Sequence, residues 1–91
     1  MSANALECLN CIDELRSVRK DLEAGCLQKA NDRILTFRPP GEWEYGRRAT
    51  AHDLAVAVVG LLNAFPNDIR SIAFKRIISQ RLAPLLQGEY R

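Results

Sequence analysis

This chain of 91 residues has little of what usually announces a chemistry: one histidine, one tryptophan, one methionine and a net charge of only +2. A single histidine, with no pair of carboxylates in an apolar setting, leaves little for general acid–base catalysis. No glycine-rich stretch is spaced to cradle a phosphate. A bilayer-spanning helix needs ~18 or more consecutive apolar residues. The longest uncharged stretch, residues 54–67, is shorter and includes Asn63, Pro66 and Asn67. The first ten residues lack the basic start and apolar run of a secretory signal. There is no internal repeat and no low-complexity segment. A charge this small does not by itself argue for nucleic acid. These gaps lead us to expect a protein that is not an enzyme, has no cofactor and no metal, does not enter a membrane, and works in the cytoplasm of the producing or host cell.

The cysteines are few and odd in number: Cys8, Cys11 and Cys26. That does not suit a disulfide framework and points to a reducing compartment. Cys8 and Cys11 have C-x-x-C spacing, and a zinc site would have to be completed by Cys26 and His52. A redox motif would need a strand-to-helix setting, whereas Leu9 and Asn10 continue a helical pattern. Free cysteines are commonly buried, and burial in the core is the expectation for all three.

What is present is apolar content: 47% of the chain, against 26% charged. That suits one globular domain and is too apolar for a disordered chain. The pattern is helical throughout. Over residues 5–24, Cys8, Cys11, Ile12, Leu15, Val18 and Leu22 share one side, with Glu7, Asn10, Glu14, Ser17 and Asp21 opposite. Leu6 and Leu9 fall off that stripe. Asn4 with Glu7 fits a capping box, and Gly25 ends or bends the helix. Over residues 26–36, Leu27, Ala30, Ile34 and Phe37 keep helical spacing. This is a second short helix or a continuation of the first, with a short strand at 33–38 as the competing reading. Arg38, Pro39, Pro40 and Gly41 then break the chain, and a loop is expected over 38–49. Thr50 followed by Asp53 marks a helix start, giving a third helix over 51–65. Asp68 caps a fourth over 69–87, with Pro84 expected to kink it or end its regular bonding near Ala83. The expected fold is all-α, a small three- or four-helix bundle.

The third helix decides the expected assembly. Its ionisable groups, His52 and Asp53, both fall in the expected first turn. Leu54, Val58, Leu61, Leu62 and Phe65 make a main stripe, Val56 and Val59 lie on the far side, and Ala57, Gly60 and Ala64 form a flank of small residues. A helix apolar all round must be covered all round. Phe74, Ile77, Ile78, Leu82 and Leu85 form the stripe of the last helix, with Ile69 and Ile72 off it. Two valines and two isoleucines left in water forgo roughly 6–10 kcal/mol. A second copy of the chain is the expected cover, because closed dimers are the commonest oligomers. Val56, Val59, Ala57, Gly60 and Ala64 are therefore the expected homodimer interface. The competing reading is that the 26–37 segment wraps this side.

For function, the expected loop carries Trp43, Tyr45, Arg47 and Arg48, the residue types that dominate interface hot spots. With Ile69 and Ile72 as a second patch, these are the expected protein-binding residues; the competing reading folds Trp43 back onto the core. The expected function is that of an adaptor, chaperone or inhibitor. A short chain of this kind also falls in the size class of phage or viral inhibitors of host proteins, although no motif supports that. The alternative is a helical RNA- or DNA-binding regulator with a dimeric basic face made of Arg16, Arg19, Lys20, Lys29, Arg33, Arg70, Lys75, Arg76 and Arg81. Glu42 and Glu44 beside Trp43 argue against nucleic acid at the loop, because they repel phosphate.

Overall fold

The computed structural model describes residues 5–41, 43–65 and 69–87, with backbone alone for residues 69 and 70. The expected caps Asn4 and Asp68, the turn at Pro66 and Asn67, Glu42, and the side chains of Ile69 and Arg70 lie outside the described residues. Four helices succeed one another: α1 (Ala5–Glu23), α2 (Leu27–Leu35), α3 (Tyr45–Asn63) and α4 (Ile69–Leu86). Among the described residues there is no strand, so the segment 33–38 is the last turn of α2 with the start of the connection to α3.

In α1 the buried residues are the six on the expected stripe, while Leu6 and Leu9 stay exposed. The helix ends in a complete Schellman motif. Gly25 adopts φ +79°, its N–H donates to the Leu22 carbonyl at 3.0 Å, and the Cys26 N–H donates to the Asp21 carbonyl at 2.7 Å. Left-handed φ is costly for a residue with a Cβ, which is why glycine stands here and why α2 is separate from α1. On α2, Ala30, Asn31 and Ile34 are buried, and Phe37 beyond its end is buried too.

α3 starts at Tyr45, six residues before the expected Ala51. The extended residue at its start is Glu44, whose carbonyl accepts the Arg48 N–H at 2.9 Å. Thr50, the expected cap, instead sits inside the helix and donates its hydroxyl to the Gly46 carbonyl at 3.0 Å. A mid-helix threonine commonly satisfies itself in this way. Asp53 lies exposed in mid-helix, and residues 45–48 form the first turn of α3, not a loop. The small residues that pack are also not the expected ones. Ala51 and Ala55 are fully buried, while Gly60 and Ala64 are exposed and Ala57 is half-buried. Val59 turns onto the core and Val56 does not, remaining 52% exposed.

α4 continues through Pro84, with the Gln87 N–H donating to the Ala83 carbonyl at 3.1 Å. Of the two outcomes expected at Pro84, a kink or an end to regular bonding near Ala83, the second does not occur, since the helix runs on to Leu86; Pro84 is exposed. Ile78, Leu82 and Leu85 are buried, and Phe74 and Ile77 are half-buried.

Contacts between helices close a ring. α1 packs on α2 and α3, α4 packs on the same two, and among the described residues α1 and α4 occupy opposite corners. One hydrophobic cluster runs through all four helices, with Leu15, Val18, Ile34, Val58, Leu62, Ile78 and Leu82 at most 1% exposed. No helix among the described residues is long and apolar enough to cross a membrane.

Candidate interaction site

The segment joining α2 to α3 is held at both ends. The Arg38 guanidinium donates to the Leu35 carbonyl at 3.1 Å and to the Phe37 carbonyl at 2.8 Å, closing the end of α2 over buried Phe37. Pro39 and Pro40 follow, with little torsional freedom. The Trp43 ring is half-buried and packs against the core cluster. The C-terminal part of α4 comes alongside. Together Pro39, Pro40, Trp43, Arg48, Pro84 and Leu85 wall a cleft of about 380 Å³.

The structure divides the four residues expected to act together. Trp43 and Arg48 meet in this cleft. Tyr45 is 76% exposed on the first turn of α3. Arg47 pairs with the Glu44 carboxylate, so both charges are spent at the start of the helix. Trp43 thus packs on the core, as the competing reading has it, and also lines a cleft. Pro39, Pro40, Pro84 and Leu85 were not identified from sequence as site residues. Prolines read singly are helix punctuation, and nothing local says that three of them converge on one ring.

Ile72, in the second expected patch, is 47% exposed on α4. Half of the described members of the alternative basic set are occupied. Arg16 pairs with Asp13 at 3.4 Å, Arg19 with Glu23 at 2.9 Å, and Arg33 with Asp21 at 2.7 Å and Glu14 at 3.8 Å. Lys75 donates to the Phe65 carbonyl at 3.0 Å. Lys20, Lys29 and Arg76 are exposed and Arg81 is half-buried.

Cys8 and Cys11 are buried in α1, and Cys26 is half-buried at the start of α2, so burial is complete for only two of the three. Burial pushes the Cys11 thiol up to about 12, helped by neighbouring Cys8 and Glu14. That is the reverse of the activation a nucleophilic or metal-binding thiolate needs. Among the described residues no three His, Cys, Asp or Glu side chains are grouped to hold a metal ion. Cys8, Cys11, Cys26 and His52 therefore do not assemble the tetrad that their spacing allowed.

No protein-family model, curated protein or solved structure matches the chain.

Proposed function

We propose that this chain is a single-domain, non-catalytic interaction protein, an adaptor, chaperone or inhibitor. It binds another protein through the Trp43 cleft and the neighbouring Tyr45. The observation that carries the reading is the cleft itself, an aromatic ring set between prolines from two separate parts of the chain. Such walls lose little conformational freedom on binding, which favours affinity. Arg48, already engaged within the chain, lines the cleft beside them. Tyr45 offers a large ring at the surface, and aromatic residues of this kind anchor interfaces. The size class of viral or phage inhibitors of host proteins is compatible with this reading.

The reading includes a homodimer. Val56, Gly60 and Ala64 are all exposed along α3, and none carries a charge, so a second copy can meet the same strip without repulsion. The free cysteines suit a reducing compartment such as the cytoplasm. The nucleic-acid alternative loses weight because Arg16, Arg19 and Arg33 already hold carboxylates.

The test is capture of partners from the native host, with nuclease treatment and a salt series in parallel. Under this reading a protein partner survives both treatments. Capture falls at least about tenfold for Tyr45→Ala and for Trp43→Ala, as expected of a hot spot. Circular dichroism confirms that both variants fold. Capture that vanishes with nuclease, or falls steeply between low and moderate salt, moves the assignment to nucleic acid.

A further inference from the structure

We propose that the cleft between α1 and α3 binds a single phosphate monoester. Arg16, Arg19, Lys20 and Glu23 of α1 wall it together with Leu54 of α3, around about 260 Å³. At 100° per residue the four α1 positions fall within an arc of about 100°, so they share one face. All four are exposed, and Leu54 is buried. Three cations against one carboxylate leave +2 on this wall, as much as the whole chain carries. A charged cleft with an apolar, low-dielectric wall focuses its field on whatever enters it.

The cations keep donors to spare. Arg16 gives Asp13 one contact through Nη1 at 3.4 Å, in a pair whose members are both more than half exposed. Arg19 gives Glu23 one contact through Nε at 2.9 Å. A guanidinium carries five N–H donors in a fork, so both retain most of theirs. Lys20 has no ion pair among the described residues. Complementing the negative end of the α1 dipole accounts for Lys20, in the last turn, and not for Arg16 a turn earlier. Three cations match the three terminal oxygens of a phosphate monoester, whose charge of about −1.5 to −2 neutralises the wall. A carboxylate offers two oxygens and a single charge, and leaves one cation unserved.

A nucleic-acid duplex is a poorer fit, because its backbone asks for cations along a track. Outside the cleft, the described cations that hold no carboxylate or carbonyl are Lys29 on α2 and Arg76 and Arg81 on α4. α4 occupies the corner opposite α1, so these extend no line from the cleft. Phosphate on a small molecule and phosphate on a protein side chain present the same group here, and the test separates them.

The cleft shares no residue with the Trp43 cleft, so its test is independent of partner capture. The isotope-labelled chain is titrated at physiological salt with inorganic phosphate, a phosphoserine peptide, the same peptide unphosphorylated, and acetate, with NMR shifts as the readout. Saturable shifts around residues 16–23 and Leu54 are expected for the two phosphates and not for the other two. Lys20→Gln and Arg16→Gln should each weaken binding at least about tenfold, while Arg76→Gln, which removes the same charge elsewhere, should change nothing. Asp13→Asn should tighten binding by releasing Arg16, and Asp32→Asn should not. Circular dichroism verifies the folds. Tighter binding of inorganic phosphate supports a free small phosphate as the ligand, and tighter binding of the phosphopeptide supports a phosphorylated side chain. Shifts that do not saturate, an equal response to acetate, or Arg76→Gln weakening binding as much as Lys20→Gln overturns the proposal. Duplex RNA that displaces phosphate and depends equally on Lys20 and Arg76 also overturns it, assigning these cations to nucleic acid.

Discussion

The three cysteines differ by environment, and their reactivity should differ accordingly. Cys8 and Cys11 face the core while Cys26 is half-exposed at the start of α2. An alkylating reagent at neutral pH is expected to label Cys26 first and the other two only after unfolding, which mass spectrometry of the labelled protein would show. Cys11 also links stability to pH. Its thiol is held up to about 12 in the folded chain, whereas an unfolded thiol ionises near 8.5. The unfolded state therefore loses this proton first. The thiol's contribution is fully present below about pH 8.5 and is lost as pH rises from there towards about 12. Denaturant midpoints measured across that window should fall less steeply for Cys11→Ala than for the parent chain. Buried thiols were readable in the sequence because cysteine sat on an uninterrupted 3.6-residue stripe. Half-burial of Cys26 was not readable, because it depends on where the chain turns after Gly25.

Helix ends show where local signals mislead. The apolar face of α1 could be read residue by residue, since polar positions opposite it leave only one side to bury. The start of α3 could not. Thr50 and Asp53 imitate a cap, and Gly46 reads as a breaker, yet the helix begins before all three. Buried Ala51 and Ala55 prolong its packed face, and Glu44 opens it. The same applies to the Trp43 cleft: Pro40 and Pro84 are distant in sequence and come to line one cleft only once α3 and α4 have packed. The other end of α3 receives a long-range bond. Lys75 of α4 donates to the Phe65 carbonyl just beyond α3, serving a terminus whose carbonyls lack helical partners. Lys75→Met keeps the side-chain length and removes this donor. It is expected to lower unfolding stability by about 1 kcal/mol in a denaturant titration, with Lys75→Arg retaining part of the effect.

At the scale of the molecule, the proposed homodimer rests on the exposed strip of α3. Among the described residues, a Cβ added at Gly60 meets nothing within 4 Å. Replacing an exposed mid-helix glycine by alanine should therefore stabilise the chain by ~0.5–1 kcal/mol. Gly60→Glu should leave the fold intact but set a charge against its symmetry mate. Light scattering over a concentration series is expected to give a dimer for the parent and a monomer for Gly60→Glu. A parent that stays monomeric at every concentration measured removes the homodimer from the reading. The tendency to expose apolar residues on α3 could be read from composition alone. Which valine stays outside could not, because Val56 and Val59 differ only in their angle to a core that α1 and α4 complete.

The order in which the helices touch has a further consequence. Among the described residues each has two neighbours and no close backbone approach to the one across from it, so the chain is a circuit with no central member. Remove one helix and the circuit opens into a row, leaving two helices with half their lateral support and a shared interior open to water. No three-helix fragment inherits a sealed interior.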